Sequence, residues 1–356
     1  MNLYGKSWSR RDVEARVGRM EQIGGVQRYR CAEGPEEGTE IIRVRTGAGL
    51  TYEVTPSRGL DIGLTEYGGS PLSWQSANGG AHPSYYDASG TGWLRTASGG
   101  LLMTCGLMQV GSPCEDEGER LGMHGRAHHT PARQVAARTD WQGDEYVMTV
   151  SGVIEETSMF GGHLRLARTI TSRMGSNRIE IRDSVENAGF ASCPHMMLYH
   201  FNFGFPLMSE DVRIRIASAS IRPADGKAPV AGFDEWQAPM AEYKERVYYH
   251  DMTGPYAKAE IDNPAFPVGS GESIGLRAQL IWKTDALPQF VQWKMPGAGV
   301  HALGLEPSNC LVEGRTKERQ RGTLTTLEPG ESRNYELDFQ VCHYRQENGE
   351  SAVWRA

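Results

Sequence analysis

Short segments in which apolar and polar residues alternate recur along the whole chain, and they limit the fold more than any other feature. The clearest examples are 41–46, 50–54, 146–150, 164–170, 178–183, 212–216, 275–282 and 333–341. Alternation with a period of two places successive side chains on opposite faces of a β-strand. Because 43 glycines and 18 prolines provide turns between such segments from end to end, the sequence predicts an all-β protein.

The strand-forming segments look alike on both sides of the middle, and no linker or low-complexity tract separates them. The sequence therefore predicts a single domain over residues 1–356, built as one large antiparallel β-sandwich.

The first 25 residues are expected to form a peripheral helical segment. Ser9 can cap a helix, Asp12 stands three residues on as in a capping box, and apolar residues recur at helical spacing from Val13 to Ile23.

Composition excludes several classes of protein. A net charge of -7 and a pI near 5.9 argue against a nucleic-acid surface. No apolar run is long enough to span a bilayer, and the N-terminus lacks a signal peptide's apolar core, so we expect a cytoplasmic protein without a membrane partner. The six cysteines show no CxxC spacing, which predicts free thiols rather than a zinc site. Motifs for dinucleotides, phosphate loops or serine hydrolases are missing, and no cofactor is predicted.

Glu306 is a carboxylate inside an otherwise apolar strand, between Leu305 and Pro307. Burying an unpaired charge is costly. Such a residue is either paired structurally or retained to move protons.

A second pattern spans residues 194–206. A strand there would divide its side chains between an aromatic face and a polar face with a gap. The aromatic face would hold Phe201, Phe203 and Phe205. The polar face would hold His200, Asn202 and Gly204. A gap beside polar groups suits a polar ligand, although a histidine satisfied by a backbone carbonyl in the core is the alternative.

The segment 121–132 carries His124, Arg126 and His128. The four-residue spacing of the two histidines would suit a metal only on a helix, which the nearby glycines disfavour. We predict no metal and interpret the segment as a loop that brings His124 and Arg126 to a cleft. A turn at 55–63 offers Arg58 as another contact, or equally as half of a surface pair with Asp61.

Together these motifs resemble the aldose 1-epimerase (galactose mutarotase-like) family, in particular a divergent bacterial branch. The resemblance covers nearly the whole chain and depends on 121–126, 200–204 and 303–307. It implies a galactose mutarotase-like supersandwich with an open cleft. It also implies His200 as general acid, Glu306 as general base and His124 as a histidine that holds the sugar.

The chemistry of these residue types fits that implication. Exchanging the anomers of a sugar requires a proton to leave the anomeric hydroxyl and another to reach the ring oxygen, and we expect the acid and the base on opposite sides of the ring. An imidazole and a carboxylic acid can do this near neutral pH.

Departures from the family pattern leave the sugar open. Asn202 stands where the family has a tyrosine, and Gly204 where it has an asparagine. Candidates for a sugar-gripping aspartate are Asp61, Asp234 and Asp251. Aromatic residues that could stack on a sugar ring are Trp74, Trp93 and Trp293.

The sequence thus predicts an isomerase that acts at the anomeric carbon of an aldose or modified sugar. Two alternatives remain: an epimerase, keto-sugar isomerase or lyase that abstracts a carbon-bound proton, and a carbohydrate-binding protein without catalysis. The sequence does not indicate an oligomeric state.

Overall fold

Antiparallel strands dominate the computed structural model, which describes residues 1–269, 271–347 and 350–353. The larger of two extended sheets has eleven strands among these residues. In spatial order they are Ser218–Pro223, Arg246–Met252, Gln289–Met295, Ala302–Ser308, Met196–Phe203, Leu102–Leu107, Asp61–Tyr67, Leu50–Thr55, Glu40–Arg45 and Gly25–Arg30, with Ser70–Pro71 paired to Asp61–Tyr67.

The second sheet has nine strands within the described ranges. Its order is Arg133–Gln142, Glu145–Thr157, His163–Arg173, Arg178–Asn187, Ser332–Glu347, Glu272–Lys283, Tyr256–Val268 and Arg213–Ile216, with Glu350–Val353 paired to Ser332–Glu347. Three short pairs complete the strands: Asn2–Leu3 with Lys6–Ser7, Cys114–Asp116 with Glu119–Leu121, and Cys193–Pro194 with Thr326–Leu327.

One hydrophobic cluster fills the space between the two sheets. The eleven-stranded sheet contributes residues such as Tyr52 and Phe201, and the nine-stranded sheet contributes residues such as Ile154 and Phe339. Alternate residues of each strand enter this cluster, as the period of two predicts. The predicted antiparallel sandwich is confirmed.

The aromatic face of the strand Met196–Phe203 is shorter than expected. Phe201 and Phe203 are buried in the core, but Phe205 is 72% exposed. The strand ends at Phe203, so the alternation that would turn Phe205 inward stops before it.

The N-terminal helix forms, but it is also shorter than expected. Ser9 and Asp12 make the predicted capping box, and the helix runs only over Arg10–Glu14. Val13 is its buried residue, and Gly18 follows closely, so little packing favours a longer helix.

The other helical segments are short. They are the α-helix Arg315–Arg321 and the 3₁₀ turns Met20–Gln22, Gly34–Glu36, Pro83–Tyr85, Gly92–Arg95 and Ala127–His129. In the described part of the chain, no helix combines the length and the apolar character that crossing a membrane requires.

The opposite face of the eleven-stranded sheet carries a second, smaller hydrophobic cluster. It includes Met103, Leu198, Tyr249 and Val291 from four strands, and Trp93 from the connection that covers them. Between this sheet face and the covering loops lies the cavity described next.

Candidate active site

A cavity of about 600 Å³ lies over the strands Met196–Phe203, Gln289–Met295 and Ala302–Ser308. Its walls come from loop residues around 74–97, 111–124 and 224–225 and from residues 312–313. The size is that of a small-molecule site. The strands are regular and paired on both sides, so they provide a rigid floor for the side chains that stand on it.

His200 and Glu306 meet on this floor. Phe201 pairs with Leu305 across adjacent antiparallel strands and faces the core, so the residue before Phe201, His200, and the residue after Leu305, Glu306, lie opposite each other on the cavity side. His200 Nε2 lies 3.2 Å from Glu306 Oε1, and the side chains are 10% and 3% exposed. The expectation that they flank opposite sides of a sugar ring is therefore not met, because a ring cannot enter a gap of this width.

Both side chains keep an unused polar atom. Within the described residues, His200 Nδ1 and Glu306 Oε1 are buried without a hydrogen-bond partner, since the 3.2 Å approach lacks hydrogen-bond geometry. A buried polar atom without a partner costs stability. Such an arrangement is typical of a site that binds a polar ligand.

The two groups have strongly shifted pKa values. Burial raises the pKa of Glu306 well above its ordinary value, and the negative charge of Glu245 adds to the shift. Burial, reinforced by His124, lowers the pKa of His200 to about 3. Burial therefore favours the protonated form of the Glu306 carboxyl group and the neutral form of the His200 imidazole.

His124 lies in the wall next to this pair, with its ring centroid 6.1 Å from that of His200. Its Nδ1 accepts a hydrogen bond from the backbone N–H of Gly111 at 3.3 Å. Burial lowers the pKa of His124 to about 4, so the neutral ring carries its proton on Nε2. His124 can thus donate one hydrogen bond to a bound molecule.

His128 does not join His124 in a metal site. Its ring is held by Asp61 at 2.6 Å on one nitrogen and by Arg58 at 2.8 Å on the other. Over the ranges that the structure describes, no cluster of three or more histidine, cysteine or acidic residues could hold a metal ion.

Three tryptophans line the cavity. Trp293 stands edge-on to His200, with centroids 5.7 Å apart, and edge-on to Trp74, at 5.9 Å. The indole N–H of Trp293 donates to Glu245 at 2.8 Å. Trp93 is buried in the wall and, among the described residues, its indole N–H has no partner. Trp93 therefore offers a hydrogen-bond donor as well as an apolar surface.

Gly304 keeps space for the pair. It precedes Glu306 by two residues on the same strand face and pairs with Trp293. A methyl group at Gly304 would lie 2.9 Å from Trp293 Cβ and would collide with the Glu306 carboxylate. Glycine is therefore required for the carboxylate to stay beside His200.

Three predicted substrate contacts lie outside this cavity. Arg126 is exposed in a neighbouring groove. Arg58 is buried, and its guanidinium binds the backbone carbonyls of Ala81 and Thr96. The Asn202 amide donates to the carbonyls of Gly100 and His200.

The candidate aspartates are not at the cavity either. Asp61 is buried beside Arg168, Asp251 is exposed and accepts from Ser220, and Asp234 lies in another groove.

The motif analysis missed three residues that line the cavity, Glu245, Tyr249 and Val291, and the role of Gly304 beside Glu306. Two of them follow from strand register once Glu306 is placed. Gly304 lies two residues before it, and Val291 pairs with it directly. Tyr249 comes from the strand Arg246–Met252 and Glu245 from the residue just before it, and no local motif marks them.

Comparisons with known proteins agree with this architecture. Residues 36–341 match the family described as a domain of unknown function (DUF4432). A search of curated proteins found no match. Among solved structures, a protein of Klebsiella pneumoniae provisionally named aldose 1-epimerase is similar over 89% of this chain and 83% of its own, with a TM-score of 0.78 and 23% identity.

Two other solved structures show the same fold at lower similarity. A galactose mutarotase-like protein of Clostridium acetobutylicum covers 90% of this chain and 99% of its own, with a TM-score of 0.57 and 12% identity. A galactose 1-epimerase of Lactobacillus acidophilus covers 89% and 98%, with a TM-score of 0.55 and 14% identity. The chain thus belongs to the DUF4432 family, and its fold is the antiparallel supersandwich of the galactose mutarotase-like proteins.

Proposed function

We propose that this protein is a cofactor-independent carbohydrate isomerase that acts at the anomeric carbon of an aldose or modified sugar. The observation that carries the proposal is the contact of His200 with Glu306 on the cavity floor, 3.2 Å apart, each with a buried polar atom free for a ligand. Fold similarity to proteins named as aldose 1-epimerases supports the same reaction class.

The short distance between the pair suits this reaction. The anomeric hydroxyl and the ring oxygen are bonded to the same carbon, so both can face one edge of the site. One group takes the proton from the hydroxyl while the other gives a proton to the ring oxygen. The open aldehyde then rotates and recloses by the reverse transfers, in which the two groups exchange roles.

The pair carries one mobile proton. The family resemblance implies Glu306 as base and His200 as acid, whereas burial favours the proton on Glu306 rather than on His200. We propose that this single proton is the one that the pair donates to a bound sugar, whichever of the two groups carries it. Either allocation leaves one acid and one base at the reacting carbon, and both can catalyse the transfer.

The remaining walls would hold the ring. Among the residues that the structure describes, the Nε2–H of His124 and the indole N–H of Trp93 have no acceptor and can donate to sugar oxygens. Trp293 and Trp74 offer apolar surface for the CH groups of a sugar.

Anomer exchange measured by NMR across a panel of aldoses tests the proposal. We expect acceleration by the intact protein and a loss of about 10²- to 10⁴-fold in the Glu306→Gln and His200→Asn variants. Glu242→Gln, which changes an exposed carboxylate outside the cavity, is the matched control. If both cavity variants equal the intact protein on every accelerated sugar, the assignment is wrong.

The same experiment in deuterated water separates the alternatives. Deuterium bound to carbon in recovered sugar would indicate an epimerase, keto-sugar isomerase or lyase instead. Saturable binding without exchange, unchanged by Glu306→Gln, would indicate a binding protein without catalysis.

A further inference from the structure

The charged side chains in the cavity wall are of one sign. Besides Glu306, whose protonated form burial favours, the acidic residues that line it are Asp225, Glu245 and Glu313, and no lysine or arginine is among the lining residues of the described chain. Glu313 is neutralised, because Arg321 pairs with it. The wall therefore provides hydrogen-bond acceptors and negative charge, but no cation that could receive an anionic group.

Glu245 is the carboxylate with the closest connection to the reacting pair. It accepts the indole N–H of Trp293 at 2.8 Å, and the Trp293 ring stands edge-on to His200. Its charge is also felt at Glu306, whose pKa it raises. Within the described residues, no lysine, arginine or histidine forms an ion pair with Glu245, and the neighbouring Arg246 stacks on Tyr243 instead.

Other atoms of the cavity indicate that its ligand is polar. Trp93 Nε1, His200 Nδ1 and Glu306 Oε1 are buried without partners among the described residues. Most other polar side chains of the wall are engaged internally, as when Asn78 donates to the carbonyls of Leu94 and Ala97. Away from the reacting carbon, the wall can thus accept hydrogen bonds from donor groups of a ligand, but it has few donors for the ligand's acceptor groups.

We infer that Glu245 sets the charge preference of this cavity, which favours sugars that carry an ammonium group over neutral sugars and disfavours those that carry phosphate or carboxylate groups. The inference rests on the proposed assignment of the cavity to a sugar. An ammonium group brings donors and positive charge, both of which the wall can satisfy. A phosphate brings acceptors and negative charge, and it would meet uncompensated carboxylates.

Quenching of tryptophan fluorescence can measure binding separately from turnover, since three tryptophans line the cavity. The probes are D-glucose and D-galactose, their 2-amino-2-deoxy derivatives and their 6-phosphates. We expect the amino sugars to bind most tightly and the phosphates most weakly. Because Glu245 is exposed, the expected change per unit of ligand charge is about two- to fivefold.

The Glu245→Gln variant removes the charge but keeps an oxygen that can accept from Trp293. The ratio of amino-sugar to phosphate affinity should fall at least about fivefold, with little change for the neutral sugar. Glu242→Gln, three residues away on the exposed segment, should leave the ratio unchanged. Raising the salt concentration should narrow the ratio in the intact protein and not in Glu245→Gln.

Several outcomes would overturn the inference. They are a phosphate that binds as tightly as its neutral parent, a ratio that Glu245→Gln leaves unchanged, and no saturable binding by any of the six sugars. Binding with the expected order but without anomer exchange would instead refute the proposed isomerase activity and leave the charge preference standing.

Discussion

Tyr199 and His200 are neighbours on one strand, yet they belong to two clusters of buried ionisable groups that are built in opposite ways. Tyr199 faces the sandwich core, where its hydroxyl donates to Asp183 at 2.8 Å. Arg168 lies there between Asp183 and Asp61, at 2.7 and 2.9 Å. His200 faces the cavity, where Glu306 lies in contact with it but no hydrogen bond joins them.

The two clusters differ in whether their polar atoms are satisfied. In the core network, Asp61 accepts from the backbone of Thr104, from His128 and from Arg168. A buried group with this many partners stabilises one arrangement of the chain. In the described part of the chain, the side chains of Glu306 and His200 have no such partners, so their polar atoms are available to a ligand. Burial alone is therefore a poor indication of function, whereas burial without partners at an open cavity is a good one.

Acidification should produce the largest effect, and it should act through the histidines that are satisfied in the neutral form. His195 lies between the carbonyl of Leu107 and the hydroxyl of Tyr335, and burial lowers its pKa to about 4. Burial also lowers the pKa of His128 well below its ordinary value.

Because these pKa values are depressed in the folded state, the stability they provide is complete above about pH 6.5 and is lost as the pH falls. We expect the free energy of unfolding by urea to decrease steeply between pH 6.5 and 4. Glu306 acts in the opposite sense, since its raised pKa favours the folded state at low pH. His195→Gln should be less stable at pH 7 but should show a flatter dependence on pH, and an unchanged slope would contradict this account.

Among mutations, Arg168→Met should show the difference in stability between the two clusters most clearly. It leaves Asp61 and Asp183 buried without their cation, so we expect a loss of about 3–5 kcal/mol in the free energy of unfolding. Glu306→Gln, which removes a carboxyl group without hydrogen-bond partners, should change the same quantity by less than about 1 kcal/mol. Urea denaturation of both variants makes the measurement. Equal losses would show that Glu306 is structural after all.

Gly304→Ala tests whether the cavity floor is shaped for Glu306. The added methyl group must displace the Glu306 carboxylate and crowd Trp293, so overpacking should cost about 1–3 kcal/mol. The rate of anomer exchange should fall strongly while the protein stays folded, because the carboxylate leaves its place beside His200. Gly63→Ala, in another strand of the same sheet with its nearest atoms 3.7 Å away, is the control. Full activity in Gly304→Ala would contradict the assigned geometry.

Trp93→Phe should have a smaller effect. The ring surface is mostly kept, but the unpartnered indole N–H that could reach a sugar oxygen is lost. A lost hydrogen bond of about 0.5–1.5 kcal/mol corresponds to a weakening of sugar affinity by about two- to tenfold. Stability should be unchanged or slightly improved, since a buried donor without a partner is removed. A large loss of stability without a loss of sugar affinity would show that Trp93 only packs in the core and does not bind the sugar.

The pH dependence of kcat/KM between pH 5 and 7 should show almost no change. A solvent-exposed imidazole would titrate near pH 6.5, but the pKa of His200 is about 3 and that of Glu306 is raised. Both shifts favour a protonated carboxyl group beside a neutral imidazole, and activity should fall as rising pH removes the proton from Glu306. A change in kcat/KM with a midpoint near pH 6.5 would contradict the conclusion that His200 is neutral in this range.

Local sequence patterns predicted some of the site residues but could not predict which polar side chains have no partner within the protein. Alternation along one strand is enough to place His200 and Asn202 on one face, whereas only the family resemblance implied that His200 and Glu306 belong to one site. Alternation cannot show which polar side chains the covering loops leave free. Asn202 shares the face of His200, but backbone carbonyls occupy its amide. Arg58 stands in a promising turn, but it is used to bind two loops together.

The sequence by itself determined the strand periodicity and the capping box at Ser9, because these depend on neighbours within a few residues, and the recurrence of such strands along the whole chain indicated the antiparallel sandwich. Only the tertiary structure decided that His200 and Glu306 are in contact and in which directions their pKa values are shifted. Their pKa values depend on burial and on charges as distant in sequence as His124 and Glu245. Burial and electrostatic fields are properties of the assembled cavity, so no single segment contains them.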